Sequence, residues 1–195
     1  MIYVICRGLL RLIYAILFPL KIVGKENVPK EGGVLLCANH ISLLDPMTIG
    51  IKLKRQVKYM AKAELFKVPV LGWLIGKLGA FPVKRGGVSK ESIKTALNTL
   101  RGGHVMGIFP EGTRNSDSGV AKKGAASFAL RSGAAVVPAA IIGSYKPFRR
   151  MTVIYGEPVD LSSFAGAGSD SLEEVTDVIM SRIYEMRKTG RPSTR

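Results

Sequence analysis

A histidine and an aspartate stand five positions apart in the stretch "CANHISLLDPM", residues 37–47. His40 follows an apolar run that is typical of a buried strand, and Ser42 is a suitable first residue for the next helix. One helical turn would return Asp45 to the His40 imidazole, where a carboxylate fixes the tautomer and leaves the other ring nitrogen as a base. The spacing also suits a simple capping box, Ser42-x-x-Asp45, with His40 as a polar residue at a strand end.

The sequence offers this histidine no obvious nucleophilic partner. It contains no G-x-S-x-G elbow, and Cys37 falls within the predicted buried strand. Cys6 and Cys37 both lie in apolar runs, which indicates small buried side chains and no disulfide framework. Cys37-x-x-His40 is at most half of a zinc site and has no second pair, so no metal is predicted. A His-Asp pair can still activate a substrate hydroxyl directly.

A second polar cluster closes another apolar run in "GIFPEGTRN", residues 107–115. Its polar members are Glu111, Gly112, Thr113 and Arg114. Gly112 allows close approach of the backbone, and the Arg114 guanidinium matches phosphate oxygens. The alternative is an ordinary turn with a surface ion pair between Glu111 and Arg114. Basic residues also follow other predicted strands, at Lys62, Lys84 and Arg85, and no G-x-x-x-x-G-K-[ST] loop indicates a nucleotide.

The elements that must position these residues alternate between strand-like and helix-like segments. Such alternation predicts a single α/β layered domain with a mixed, largely parallel sheet flanked by helices, and ligand sites in these folds lie where strands end. The apolar stretch "VPVLGWLIGKLG", residues 68–79, suits a core helix, or else the wall of an acyl-chain tunnel. Strands are predicted at 33–38, 57–61, 79–83, 104–109, 135–142 and 151–156, and helices at 43–53, 70–78, 89–101, 122–132 and 171–187.

The first twenty residues, "MIYVICRGLLRLIYAILFPL", predict an amphipathic helix at a membrane interface. Arg7 and Arg11 interrupt the apolar run, which argues against a signal peptide and against a spanning helix. Tyr3, Arg7, Arg11 and Tyr14 share one stripe, so we expect these side chains at the level of the lipid headgroups. The alternative is a helix that docks its apolar side on the protein's own core. The predicted division is therefore an interfacial helix (1–20), a folded domain (21–187) and a basic tail (188–195).

The composition combines 47% hydrophobic residues with a formal net charge of +15. A membrane surface offers a basic, apolar chain both an anionic and an apolar partner, whereas nucleic acid offers only the first. Nucleic-acid binding is the non-enzymatic alternative. It is disfavoured because aromatic residues are only 7% of the chain and no helix-turn-helix, RNP or zinc-finger pattern appears. We predict a membrane-associated, monotopic protein at the cytoplasmic face, with no nucleic-acid partner.

Four motifs together carry a resemblance to a known family. "NHISLLD" resembles the N-H-x(4)-D motif of the glycerolipid acyltransferases, "FPVKR" their second block, "FPEGTRN" their third and "VVPAA" their fourth. The order and separation of the blocks match as well, so the resemblance covers about residues 25–160. Lys84 departs from the pattern, because many members carry an acidic residue there.

The resemblance implies roles for the residues that match. His40 would be the general base and Asp45 its orienting partner. Arg85, Glu111, Gly112, Thr113 and Arg114 would bind the glycerol phosphate end of an acceptor, and Lys62 matches a phosphate-contacting lysine more loosely.

The reaction implied by the resemblance is transfer of a fatty acyl group from a thioester to a glycerol hydroxyl, without an acyl-enzyme. The expected acceptor is lysophosphatidic acid, with glycerol 3-phosphate or another lysophospholipid as alternatives. The expected donor is acyl-coenzyme A or acyl-acyl carrier protein, and no cofactor is predicted.

Overall fold

The structure of the chain is a computed structural model, which describes residues 2–83, 89–113, 116, 117, 119–164 and 171–194. For residues 112, 113, 116, 117 and 119–123 it describes the backbone alone. Seven strands form the main sheet, and they are β1 (Leu20–Val23), β2 (Val34–Ala38), β3 (Val57–Lys62), β4 (Phe81–Val83), β5 (Val105–Ile108), β8 (Ala135–Ile142) and β9 (Met151–Tyr155). A separate hairpin consists of β6 (Gly112–Thr113) and β7 (Ser116–Asp117).

The spatial order of the main sheet is β1-β9-β8-β2-β5-β3-β4. All neighbouring strands in this sheet run parallel except β8 and β9, which pair antiparallel. The predicted mixed, largely parallel sheet is therefore confirmed. Each of the six predicted strands overlaps an observed one, and β3 extends one residue beyond its prediction, to Lys62. Strand β1 was not predicted, because it is a four-residue edge strand with one exposed lysine and gives little periodic signal.

Helices cover both faces of the sheet, and each face has its own apolar cluster. Leu35 and Cys37 of β2 pack towards three helices, whereas Leu36 and Ala38 pack towards a fourth on the other face. The three helices are α4 (Lys90–Arg101), α5 (Gly119–Ser132) and α6 (Leu172–Thr189), and the fourth is α2 (Asp45–Gly50). All five residues of β2 are buried, as expected for a parallel strand covered on both sides. The other helices are α1 (Ile2–Leu17) and α3 (Leu71–Lys77), with 3-10 turns at Lys25–Asn27, Ala63–Lys67 and Ser162–Phe164.

Helix α1 turns its polar stripe towards the protein. The Arg7 guanidinium donates to the carbonyls of Leu53 and Lys54, at 3.2 and 3.1 Å, and Arg11 Nε donates to the Ile51 carbonyl at 2.9 Å. These carbonyls follow the end of α2, where backbone acceptors lack intrahelical donors and attract cations. The two arginines therefore bind the protein's own backbone, and their expected position at the level of the lipid headgroups stays a prediction.

The opposite side of α1 is apolar and exposed. The helix does not dock its apolar side on the core, because most of the large apolar side chains on this side are more than half exposed. Within the described part of the chain, no helix is long and apolar enough to cross a membrane. The exposed apolar side of α1 is formed by Val4, Ile5, Leu9, Leu12, Ile13 and Ile16.

The prediction of a core helix at residues 70–78 is wrong for α3. Its only buried residue is Gly72, and Trp73 is 58% exposed. The helix packs on the preceding 3-10 turn instead of the sheet, and a Cβ at Gly72 would lie only 2.2 Å from the Phe66 carbonyl oxygen. The apolar composition of α3 therefore does not lead to burial of its large side chains. The close contact that holds the helix in place is made by Gly72, which has no side chain.

Candidate active site

Three neighbouring parallel strands, β2, β5 and β3, end at the same edge of the sheet. His40 follows β2, Glu111 follows β5, and Lys62 is the last residue of β3. Parallel strands bring the groups that follow them to one edge, which is the usual position of a ligand site in an α/β fold. The sheet therefore places His40, Glu111 and Lys62 at a common edge, as the sequence predicted.

His40 and Asp45 form a hydrogen-bonded pair. His40 Nδ1 lies 2.7 Å from Asp45 Oδ2, and the Asp45 side chain is fully buried. Because an ionised carboxylate can only accept, Nδ1 carries the hydrogen and donates it, and Nε2 keeps its lone pair. The ring is therefore prepared to accept a proton at Nε2.

The Asp45 carboxylate also organises the turn that connects β2 to α2. Oδ2 accepts hydrogen bonds from the backbone N–H groups of Ile41 and Ser42, at 2.6 and 2.7 Å. Helix α2 begins at Asp45 itself, and the Ser42 hydroxyl accepts from the Leu44 N–H instead of the Asp45 N–H. The predicted capping box is therefore only half formed. One oxygen therefore holds both the turn and the imidazole, and the catalytic role of the pair stays a prediction.

Tyr145 completes the surroundings of Asp45, and sequence reasoning missed it. Its hydroxyl donates to Asp45 Oδ1 at 2.6 Å and lies 2.8 Å from the Thr48 hydroxyl, which lies 2.9 Å from the hydroxyl of Tyr14 in α1. Burial and the hydrogen bond to Asp45 raise the pKa of Tyr145 far above its ordinary value, so the phenol stays protonated and donates. A chain of hydroxyls thus connects α1 to the carboxylate.

The His40 ring rests on an aromatic side chain. Phe109 stacks on it with ring centroids 4.2 Å apart and an interplanar angle of 18°. Phe109 in turn stacks on Tyr59 of β3, with centroids 6.2 Å apart. Phe109 is the first residue of the third motif block, "FPEGTRN", yet nothing in its local pattern distinguishes it from an ordinary strand residue.

Asn39 fastens the end of β2 to β8. Its side chain donates to the Ile141 carbonyl at 3.1 Å and accepts from the Ile141 N–H at 2.8 Å. The amide group therefore replaces a peptide unit and extends the β2–β8 ladder beyond the last paired residue. This contact gives the asparagine of "NHISLLD" a structural role directly before the base.

The Glu111 side chain contacts the backbone of His40. Glu111 Oε2 accepts from the His40 N–H at 3.0 Å, and Oε1 accepts from the Tyr184 hydroxyl of α6 at 3.4 Å. The carboxylate therefore ties the end of β5 to the end of β2 and positions His40. Its predicted contact with an acceptor stays a prediction.

The remaining predicted site residues differ in what the structure describes. The Lys62 side chain is exposed, and Gly112 and Thr113 lie in the stretch for which only backbone is described. Arg85 and Arg114 lie outside the described residues. Their predicted phosphate contacts therefore stay predictions.

An open groove borders the turn after His40. Its volume is about 360 Å³. The walls combine apolar side chains from the two strand ends with cationic side chains from the last turn of α6. This combination suits a molecule that carries both an acyl chain and a phosphate. The lining residues are Ile41, Ile141, Ile142, Gly143, Tyr184, Arg187 and Lys188.

The surroundings of Cys37 argue against a covalent intermediate on its thiol. Cys37 is fully buried within β2, and this burial raises the pKa of its thiol to about 12. Among the described residues, no group of three or more His, Cys, Asp or Glu side chains could hold a metal ion. The arrangement can therefore take a proton from a bound hydroxyl and leave that hydroxyl as the nucleophile.

The chain is similar in sequence to known acyltransferases. A family model described as Acyltransferase matches residues 19–142. The 1-acyl-sn-glycerol-3-phosphate acyltransferase of Bacillus subtilis is 36% identical over 191 residues, which are 94% of this chain and 96% of that protein. A chloroplastic 1-acyl-sn-glycerol-3-phosphate acyltransferase of Arabidopsis thaliana is 34% identical over 134 residues, 66% of this chain and 37% of that protein.

A solved structure shows the same architecture. The crystal structure of the 1-acyl-sn-glycerophosphate (LPA) acyltransferase PlsC from Thermotoga maritima superposes with a TM-score of 0.64 and 28% identity, over 87% of this chain and 72% of that one. The family model covers more than half of the chain, and the Bacillus subtilis protein matches nearly all of it. The resemblance that began with four short motifs thus extends over the whole fold, and this chain belongs to the acyltransferase family.

Proposed function

We propose that this enzyme transfers a fatty acyl group from a thioester donor to the free hydroxyl of lysophosphatidic acid and so makes phosphatidic acid. The proposal is carried by the His40–Asp45 pair, which stands at the carboxyl edge of the sheet and in which Asp45 occupies only Nδ1 of the imidazole. The names of the relatives from Bacillus subtilis and Thermotoga maritima support the choice of acceptor.

The proposed reaction begins with proton transfer to His40. Nε2 accepts the proton of the acceptor hydroxyl while the hydroxyl oxygen attacks the thioester carbonyl carbon. The carbon–sulfur bond then breaks, the acyl group remains on oxygen as an ester, and the leaving thiolate takes the proton from His40. Asp45 accepts the Nδ1 hydrogen bond throughout and offsets the positive charge of the imidazolium. The thioester is already activated, so these steps require no cofactor.

We assign the acceptor phosphate to the basic residues that the family motifs indicate. Lys62, Arg85 and Arg114 supply positive charge, and the Gly112–Thr113 backbone allows the phosphate to approach closely. The position of Lys62 at the end of β3, two strands from His40, supports its part in this assignment. Glu111 then has two duties, holding the His40 backbone and bordering the acceptor.

We further propose that the protein is monotopic and lies on the cytoplasmic face of a membrane. The exposed apolar side of α1 supports contact with a membrane, because several large apolar side chains exposed together on one side of a helix mark an interaction surface. The net charge of +15 favours anionic lipid. The donor, acyl-coenzyme A or acyl-acyl carrier protein, is a co-substrate that reaches this surface from water.

The choice of acceptor can be tested with purified protein. We expect lysophosphatidic acid to give the highest kcat/KM, above glycerol 3-phosphate and lysophosphatidylcholine, with each donor tried in turn and the released thiol measured. His40→Ala should abolish product formation while the protein stays folded. A higher kcat/KM for glycerol 3-phosphate or another lysophospholipid would replace the proposed acceptor by that alternative.

Arg114 provides a sharper test of the phosphate assignment. Arg114→Ala should lower kcat/KM for lysophosphatidic acid by about 30- to 1000-fold, or about 2–4 kcal/mol, because a phosphate would lose its charged partner. The neutral acceptor monoacylglycerol should lose far less. Equal losses on both acceptors would show that Arg114 supports the structure and does not bind phosphate.

The membrane location can be tested without disturbing the docked side of α1. Leu9→Ser, Leu12→Ser and Ile16→Ser together change only exposed side chains, so the melting temperature should stay the same. Sedimentation with anionic vesicles should fall at least tenfold. A triple variant that sediments as fully as the unchanged protein would rule out anchoring by α1.

A further inference from the structure

The loop between β8 and β9, residues 143–150, carries a strained and exposed aromatic residue. Phe148 adopts a φ of +63° and is 72% exposed. The left-handed region is unfavourable for a bulky side chain, and an exposed phenyl ring gains nothing from packing. The positive φ and the exposed ring are both unfavourable in the isolated protein, which indicates that the ring contacts something outside it.

The loop lies beside the C-terminal end of α1. The Phe148 N–H donates to the Leu17 carbonyl at 2.7 Å, and the Met151 N–H donates to the Pro19 carbonyl at 2.9 Å. Phe148 is therefore attached to the helix whose apolar side is exposed. Its hydrogen-bond partner, Leu17, directly follows the exposed Ile16. A backbone hydrogen bond therefore holds Phe148 against the end of α1 while most of its ring stays exposed.

Three cations surround Phe148 in the same loop. Lys146, Arg149 and Arg150 are exposed, and within the part of the chain that the structure describes their side chains form no hydrogen bond or ion pair. An apolar ring with adjacent unpaired cations matches the boundary of an anionic bilayer, where acyl chains begin below a layer of phosphates.

We propose that the β8–β9 loop is a second lipid-contacting element, in which Phe148 enters an anionic bilayer while Lys146, Arg149 and Arg150 bind lipid phosphates. This inference rests on the membrane location proposed above and adds a contact that α1 alone does not provide. The same loop carries Tyr145, which holds Asp45. One short segment therefore contacts both the lipid and the carboxylate that positions the base.

The first test removes the ring and relieves the strain together. Asparagine adopts positive φ far more readily than phenylalanine, so Phe148→Asn should leave the melting temperature unchanged or raise it. Partitioning onto phosphatidylglycerol vesicles, measured by sedimentation, should fall about tenfold. A variant that keeps full vesicle binding would overturn the proposed insertion of Phe148.

The second test removes charge at two matched places. Arg149→Gln with Arg150→Gln should weaken partitioning about 25-fold, since each cation near an anionic surface contributes about fivefold. Lys90→Gln with Lys94→Gln removes the same charge from α4, which packs on the opposite face of the sheet from α2. This control pair should weaken partitioning less than twofold. Equal losses of partitioning from the two pairs would show that the loop acts only through the overall charge of the protein, and would overturn the inference.

A fluorescent reporter separates this inference from the location itself. Trp73 is the single tryptophan, so Trp73→Phe with Phe148→Trp places one reporter in the loop. Trp73→Phe with Asn98→Trp places one at an exposed position of α4 instead. Anionic vesicles should shift the emission of the loop reporter to shorter wavelength and leave the α4 reporter unchanged.

The outcomes of the reporter test are distinct. Bound protein with an unshifted loop reporter would overturn this inference and leave anchoring by α1 standing. If the protein without substitutions does not sediment with vesicles, both the lipid contact of the loop and the anchoring by α1 are overturned. A loop that instead pairs with a second copy of the chain would shift its reporter without vesicles and raise the mass in sedimentation, which also overturns the inference.

Discussion

Replacing Asp45 by asparagine tests how the carboxylate assists His40. Oδ2 accepts from two backbone N–H groups as well as from His40 Nδ1. The asparagine oxygen must therefore occupy this position, and its NH2 group must face Tyr145, whose hydroxyl can rotate and accept. The imidazole thus keeps its tautomer, and Asp45→Asn removes mainly the negative charge beside the imidazolium.

The size of the effect follows from this charge. Two unit charges about 4 Å apart interact by about 4 kcal/mol at the effective dielectric constant of 20 that suits protein sites. Loss of this interaction with a fully formed imidazolium would slow turnover about a thousandfold. Proton transfer is partial in the transition state, so we expect Asp45→Asn to lower kcat between about a hundredfold and a thousandfold.

Stability should change much less than turnover. The hydrogen bonds from Ile41 and Ser42 persist but lose their charge assistance, which costs about 1–2 kcal/mol. At about 2–4 °C per kcal/mol, the melting temperature should fall by roughly 2–8 °C. The assay is thiol release under saturating lysophosphatidic acid, beside thermal unfolding of the same samples.

Two further variants complete the measurement. His40→Ala should lose at least as much activity as Asp45→Asn, and the double variant should be little worse than His40→Ala, because the two residues act as a unit. A folded Asp45→Asn protein with near-normal kcat would refute the reasoning and leave Asp45 as an organiser of the turn alone.

Three other variants test features around the dyad. Tyr145→Phe keeps the ring but loses the hydrogen bond to Asp45, so kcat should fall about tenfold at unchanged KM; an equal change in both constants would contradict a positioning role. Cys37→Ala should keep kcat within about threefold, and a mass spectrum of the unchanged protein incubated with donor alone should show no acyl adduct. Gly107→Ala would place a Cβ 2.2 Å from the Tyr59 ring and should cost at least about 2 kcal/mol in urea unfolding, with recovery when Tyr59→Leu is added.

The sequence predicted those parts of the site that depend on local geometry. His40 and Asp45 occupy one turn, so their contact follows from spacing of a few residues. The common edge for Lys62, His40 and Glu111 follows from the parallel order of strands. Tyr145 could not be predicted in this way, because it lies 100 residues from Asp45 and reaches it only through the β8–β9 loop.

Amphipathic periodicity identified the two sides of α1 but not what each side contacts. A stripe of Arg7, Arg11 and Tyr14 can face water, headgroups or unpaired carbonyls, and only the end of α2 decides among them. The same difficulty explains the error at α3. Its apolar residues indicate a preference for burial, whereas the position of the helix depends on the close approach of Gly72 to Phe66.

The position of β2 at the centre of the sheet has a consequence for synthesis of the chain. Its ladder partners in β5 and β8 follow about 70 and 100 residues later, so the contacts that complete the catalytic strand are of high contact order. At about 5–20 residues per second, β2 waits roughly 5–20 s on the ribosome for β8. Helix α1 is made before β2, so its apolar side can meet a bilayer while the catalytic strand is still unpaired. With the proposed anchoring by α1, attachment to lipid would precede folding of the domain, and the growing chain would complete its sheet at the membrane surface.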